Sequence, residues 1–272
     1  MHKNSLKNFK KLLTNKEKCG NIILVRDIPL EERKRIKMEQ KIDRRIHYRI
    51  VLDTETCPVD KVLAQTNVDP YNMFVYDIGW AVVDKRGKVY RTRSFINADI
   101  FLNEKILMNS AYYADKIPMY WERIKSGESI LTSFYVIRQI LLADIAEFEV
   151  REIYAHNMRF DFGSLANTQR WLTKSKYRYY FPKEIIICDT LKMARDVILK
   201  MPTYRYFCEE HGLLTKNGRL SAKAEDLYRF ITKDPTFVEA HTGLEDVMIE
   251  KEILAYCFRQ HKKMRKKLWE RG

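Results

Sequence analysis

Cysteine, glycine and proline are scarce in this 272-residue chain, and acidic residues are scarce at its two ends. Five cysteines (Cys19, Cys57, Cys188, Cys208 and Cys257) are odd in number and never form a C-x-x-C pair. That usage suggests neither a disulfide framework nor a zinc site and fits a reducing, cytoplasmic setting best. Nine glycines and seven prolines are too few for long disordered tracts. No uninterrupted apolar run is long enough to span a bilayer, so no membrane partner is expected. The opening residues MHKNSLK lack the apolar stretch of a secretory signal, and their lack of arginine makes a transit peptide the lesser reading. No internal repeat is evident.

What is present is a chain 46% hydrophobic, with 16 Tyr and 13 Phe. That suffices for one good core with appendages, or for two small domains. The net charge of +14 is unevenly placed. Residues 1–50 carry +9 and residues 258–272 carry +6, which leaves the middle close to neutral. Basic ends suit a polyanionic partner, although charge runs also serve solubility alone.

Residues 31–47 (EERKRIKMEQKIDRRIH) read as a charged helix, preceded by a short apolar patch at 22–25. Residues 1–47 are thus expected to form a basic, partly helical extension. The pattern then changes to β-type runs at 50–53, 74–84 and 89–96, the last two joined by a tight turn at Asp84–Gly87. A helical stretch covers 130–147. A strand at 152–155 leads to a helix over 161–172, and a strand at 184–188 leads to another helix. Further helices are expected near 204–211 and 221–232, with a last one after His241. The order implies an α/β fold: a mixed five-stranded sheet with helices on both faces. The main domain spans 48–260, and a basic tail at 261–272 is expected to continue the last helix.

Three short segments carry the chemistry. Asp53-Thr54-Glu55 closes an apolar run, and side chains two apart on a strand share a face. Asn157 follows a strand, with Phe160 and Asp161 in the helix that opens there; ordinary helix-start chemistry also suits Asn and Asp at such positions. Thr242 and Glu245 have capping-box spacing, which leaves His241 on the loop just outside the final helix. Asp246 then lies on the apolar stripe of Ile249, Ile253 and Cys257, where an aspartate is costly unless something pairs with it. Four carboxylates and a histidine suit two hard divalent cations, Mg²⁺ or Mn²⁺, plus a base for water.

In combination the three segments resemble the motifs of the DnaQ-like (DEDDh) 3′–5′ exonuclease family, over about residues 48–260. Asp189–Arg195 (DTLKMAR) also resembles the strand-to-helix stretch between that family's second and third motifs. The resemblance implies an RNase H-like fold, two metals held by Asp53, Glu55, Asp161 and Asp246, and His241 as general base. By the same resemblance Thr54, Asn157 and Phe160 contact the terminal nucleotide, and nucleoside 5′-monophosphates leave from a 3′ end. The sequence departs from the family at Cys57-Pro58, where Thr-Gly is common. It departs again at 108–120 (MNSAYYADKIPMY), where a His-Gly-Ile type segment is usual, and residues 1–47 have no counterpart in the minimal domain.

The expected activity is hydrolysis of single-stranded DNA from its 3′ end, with a replication or repair protein as a further partner. An exoribonuclease, a nucleic-acid or polymerase-binding module on the same fold, and an RNase H-type endonuclease are the alternatives. Residues 171–181 (WLTKSKYRYYF) interleave aromatics with cations, a mixture that can stack bases and hold phosphates or pack the rim of the sheet. Tyr112, Tyr113 and Tyr120 of the second departing segment, with Trp121 just after it, are candidates for contacting substrate.

Overall fold

The computed structural model describes residues 42–59, 72–176, 179–239 and 241–269. The apolar run ahead of Asp53 forms β1 (Arg49–Pro58), and a nearly all-apolar stretch forms β2 (Met73–Val83), buried along almost its whole length. A strand apolar on both faces belongs at the centre of a sheet. The hairpin to β3 (Val89–Asn97) closes as expected: Asp84 Oδ1 accepts from the Arg86 and Lys88 amides, and Gly87 takes φ +81°.

Two single-turn helices follow, α1 (Ala98–Phe101) and α2 (Lys105–Met108), then α3 (Ile117–Ser126). The expected helix over 130–147 divides in two. Ile130–Thr132 is a short strand, β4, parallel to β3, and Ser133 caps α4 (Phe134–Glu147) by accepting from the Val136 amide. The sheet therefore has six strands, one more than the five expected. Three apolar residues before a serine cap extend the helical pattern, so only pairing with β3 reveals the strand.

The chain continues through β5 (Glu152–Ala155), α5 (Arg159–Thr173), β6 (Ile186–Asp189), α6 (Thr190–Val197), α7 (Pro202–Glu210), α8 (Ala224–Thr232) and α9 (Gly243–Arg259). The sheet order is β4-β3-β2-β1-β5-β6, with the β1–β2 and β2–β3 pairs antiparallel and the rest parallel. This is an RNase H-like arrangement with one added edge strand.

Period-two alternation divides the core between the two faces. Ile50, Leu52, Ile78, Trp80 and Val82 pack with Phe134, Ile137 and Leu141 of α4 and Leu165 of α5. Val51, Ala81 and Val83 pack with residues of α6 to α9. Buried Asp144 accepts from Trp80 Nε1 at 3.0 Å, Arg91 at 2.8 Å and Arg93 at 3.1 Å, tying α4 to β2 and β3.

On the second face α9 sits directly on β2. A Cβ built on Gly79 would stand 2.3 Å from the Leu244 nitrogen and 2.4 Å from the Gly243 carbonyl carbon. No side chain other than hydrogen fits there without moving the helix.

The two chain ends differ from expectation. The patch at 22–25 and most of the helix at 31–47 lie outside the described residues. The described part, 42–47, is a turn closed by the Ile46 amide on Asp43 O. The C-terminal tail does not continue the last helix. His261 adopts φ +51°, and the chain then returns along β6: Asp189 N donates to Lys266 O and Leu268 N to Ile187 O. An unpaired sheet edge needs hydrogen-bond partners, and the tail supplies them. Its cations are anchored as well, Arg265 to Asp196 and Lys266 to Glu152. Among the described residues no helix is long and apolar enough to cross a membrane.

Candidate active site

Parallel pairing of β1 with β5 sets their carboxyl ends side by side, so Asp53 and Glu55 approach the turn that carries Asn157 and the first turn of α5, which carries Asp161. A β-bulge falls between Glu55 and Thr56, the kind of irregularity that re-aims a side chain. The N-terminus of α9 closes the site from the second face through its contact with Gly79, the residue paired with Asp53.

The predicted carboxylates converge. Asp53, Glu55 and Asp246 each offer an oxygen within 4.8 Å of the others, and Asp246 shares a second such group with His241 and Glu239. Asp161 joins from the opposite face of β1: it accepts a 2.7 Å hydrogen bond from the Thr54 hydroxyl. Thr54 thus spends its hydroxyl on holding Asp161. Asn157 is exposed and Phe160 half-buried on the turn entering α5. Asn157 takes φ +66°, and its amide donates to Asp189 Oδ1.

The cap of α9 differs from the box its spacing predicts. The Thr242 hydroxyl donates to Glu245 Oε2 at 2.6 Å and accepts from Arg123, whose other nitrogen holds Glu245 Oε1 at 2.7 Å. The first helical amide, Gly243 N, instead donates to Asp77 Oδ2 at 3.0 Å. A buried carboxylate is a stronger acceptor than a hydroxyl, and it also meets the positive end of the helix.

Sequence reasoning missed Asp77, Glu239 and Glu250. Asp77 stands opposite Glu55 in the β1–β2 register and hides in an apolar strand. Glu250 is one helical turn beyond Asp246, so helical spacing would have found it. Glu239 lies on a loop with no spacing to mark it.

Crowded, buried like charges set the electrostatics. Burial, with the charges of Asp161, Glu250, Asp246 and Glu55, raises Asp53 well above the usual carboxylate range. Burial and Asp246 push Glu55 up to about 9, and burial and Glu239 push Asp246 to about 8. Burial raises Asp161 to about 7 against the Thr54 hydrogen bond, and raises Asp77 to about 6 against the Gly243 amide. Glu250 is raised by burial and by Asp161. Asp246 Oδ1, Glu250 Oε2 and Asp77 Oδ1 are buried without a hydrogen-bond partner.

Orphaned carboxylate oxygens beside mutually repelling acids fit a site for divalent cations, whose charge offsets both costs. Asp53, Glu55, Asp161 and Asp246, with Glu239 and His241 adjacent, are the residues that could hold them.

His241 faces this group from a loop at φ +52°, a conformation histidine adopts more readily than most residues. Tyr113 stacks on the imidazole, ring centroids 4.8 Å apart and planes 17° apart. Lys116 lies over the other ring at 4.2 Å and reaches His241 O. Burial and then the Lys116 charge lower the His241 pKa, which favours the neutral ring. Of the other aromatics in that segment, Tyr112 is exposed, Tyr120 is fully buried and Trp121 packs on Phe101.

The raised carboxylates predict how stability depends on pH without metal. In the unfolded chain they ionise near 4, but in the fold Asp161, Asp246 and Glu55 do so at about 7, 8 and 9. The folded state therefore binds more protons across this interval, so their contribution to stability is full below about 4 and is lost as pH rises to about 9. In EDTA the melting temperature should fall by about 5 °C or more between about pH 6 and about pH 9, and Mn²⁺ should restore more at the higher pH. A pH-independent melt with no Mn²⁺ effect would contradict the assignment.

No model of a known protein family matches the chain, and no curated protein does. Among solved structures, the chain resembles cell-death related nuclease 4 at 13% identity and a TM-score of 0.46, covering 80% of this chain and 66% of that one. It resembles exonuclease I from Methylocaldum szegediense at 14% identity and 0.48, covering 79% and 41%. It resembles S. pombe Pop2p, solved in a form with Mg²⁺ and Mn²⁺ bound, at 13% identity and 0.42, covering 80% and 84%. The chain thus spans less than two thirds of the first two proteins it matches.

Proposed function

We propose that this protein is a metal-dependent 3′–5′ exonuclease that removes nucleoside 5′-monophosphates from single-stranded DNA. The observation that carries the reading is the meeting of Asp53, Glu55 and Asp246 oxygens within 4.8 Å, with Asp246 shared by the His241 group. Asp53, Glu55, Asp161 and Asp246 would hold two divalent cations. Oxygen donors of this kind favour Mg²⁺ or Mn²⁺. When bound, such ions offset the charge of the phosphate and acidify water.

The chain's own residues do the rest. His241, held neutral beside Lys116 and against Tyr113, takes the proton of the attacking water. Thr54 fixes Asp161, and Asn157 and Phe160 flank the entry of the terminal nucleotide. Arg123, Thr242 and Asp77 fix the start of α9, and so the positions of Asp246 and the loop that carries His241.

The test is a 5′-labelled single strand incubated with protein and Mn²⁺. A ladder shortening stepwise from the 3′ end is expected, together with no cleavage of closed circular DNA. Nicking of circles, or failure on every linear strand of DNA and RNA, would refute the proposal.

A further inference from the structure

Away from the carboxylates, the far end of α5 borders a groove of about 730 Å³. Its lining includes Arg170, Trp171, Lys174 and Lys176, and among the described residues that line it none is acidic. All four side chains are exposed, Trp171 at 45%. Among the described residues none of the three cations is ion-paired. Elsewhere the molecule pairs many of its cations, as with Arg49 and Lys266 on Glu152. The indole rests on Phe74, with ring centroids 5.2 Å apart, and the Lys174 ammonium stands 3.8 Å from its centre.

We infer that this groove binds the single-stranded DNA upstream of the reacting 3′ end, with a base stacked on Trp171 and phosphates on Arg170, Lys174 and Lys176. The inference rests on the exonuclease reading for the polarity of the strand. Three points support it. An unbalanced cluster of cations attracts a polyanion. An exposed indole seated on a second aromatic ring is a firm stacking platform, and bases of any sequence stack on such rings. The groove and the catalytic group also share one element: α5 carries Asp161 in its first turn and reaches Trp171 ten residues later, about 15 Å along its axis. A strand with its end among the carboxylates can follow α5 to the groove. A base entering there displaces the Lys174 ammonium from the ring, since cation–π contacts at exposed sites are weaker than base stacking, and so frees it for a phosphate.

The test measures binding of the full chain, in EDTA so that nothing turns over, to a labelled oligomer of about 16 deoxythymidines and to a trinucleotide. Wild type should bind the long oligomer far more tightly than the short one. Trp171→Ala should weaken long-oligomer binding about tenfold. A triple variant, Arg170→Gln with Lys174→Gln and Lys176→Gln, should lower the slope of log affinity against log salt by about 2. Both variants should hydrolyse the trinucleotide with Mn²⁺ as wild type does. The triple variant alters only exposed side chains, so it decides the matter if Trp171→Ala melts early. Equal affinity of wild type for long and short oligomers, or an unchanged salt slope in the triple variant, would overturn the groove while leaving the exonuclease intact. Tight long-strand binding without any hydrolysis would instead overturn the exonuclease reading and leave the groove standing.

Discussion

Replacing Asp53 with alanine is expected to lower hydrolysis by about 10³-fold or more, since the metal site supplies several kcal/mol of transition-state stabilisation. Loss of activity alone would also follow from misfolding. The electrostatics provide a second signature. Asp53 is surrounded by Asp161, Glu250, Asp246 and Glu55, all of which raise its pKa. Removing it relieves repulsion, so the variant should melt at or above the wild-type temperature in EDTA near pH 8. Its stabilisation by Mn²⁺ should at the same time shrink. A variant that remains active, or that gains as much from Mn²⁺ as wild type does, would show that Asp53 is not a ligand.

His241→Ala should behave in the opposite way. Removing a general base typically costs about 10²- to 10⁴-fold in rate, yet the four carboxylates remain and Mn²⁺ should still raise the melting temperature. The backbone calls for a companion variant. His241 sits at φ +52°, where alanine is less at ease than asparagine. His241→Asn should therefore be folded at least as well as His241→Ala and be equally slow. Turnover close to wild type in either variant would remove the histidine from the proton-transfer step.

The parts of the site that local rules govern were legible in the sequence. Asp53 and Glu55 share a face because strand periodicity is two, Asp161 follows a strand end, and His241 with Asp246 is fixed by the start of one helix. The β2–β3 hairpin was equally plain from Asp84–Gly87. What escaped was set by partners distant in sequence. β4 is three residues that become a strand only beside β3. The tail leaves helical geometry because β6 offers an open edge. Thr242 gives up its box because Arg123, 119 residues away, takes its hydroxyl and Asp77 takes the first amide of α9. Asp77 itself reads as an ordinary member of an apolar strand. Only the register opposite Glu55 gives it a place in the electrostatics.

The contact at Gly79 divides the candidate site into unequal halves. On one side, helix backbone rests on strand backbone with no side chain between them to cushion a shift, so Asp246 and Glu250 can change position only if the whole sheet does. On the other side stands the Tyr112–Lys116 stretch, which meets His241 through the stacked ring of Tyr113 and the ammonium of a long lysine side chain, contacts that give more easily than backbone on backbone. On the exonuclease reading, nucleotides of different size are accommodated from the tyrosine side, with the acidic wall serving as the fixed jaw of a vice.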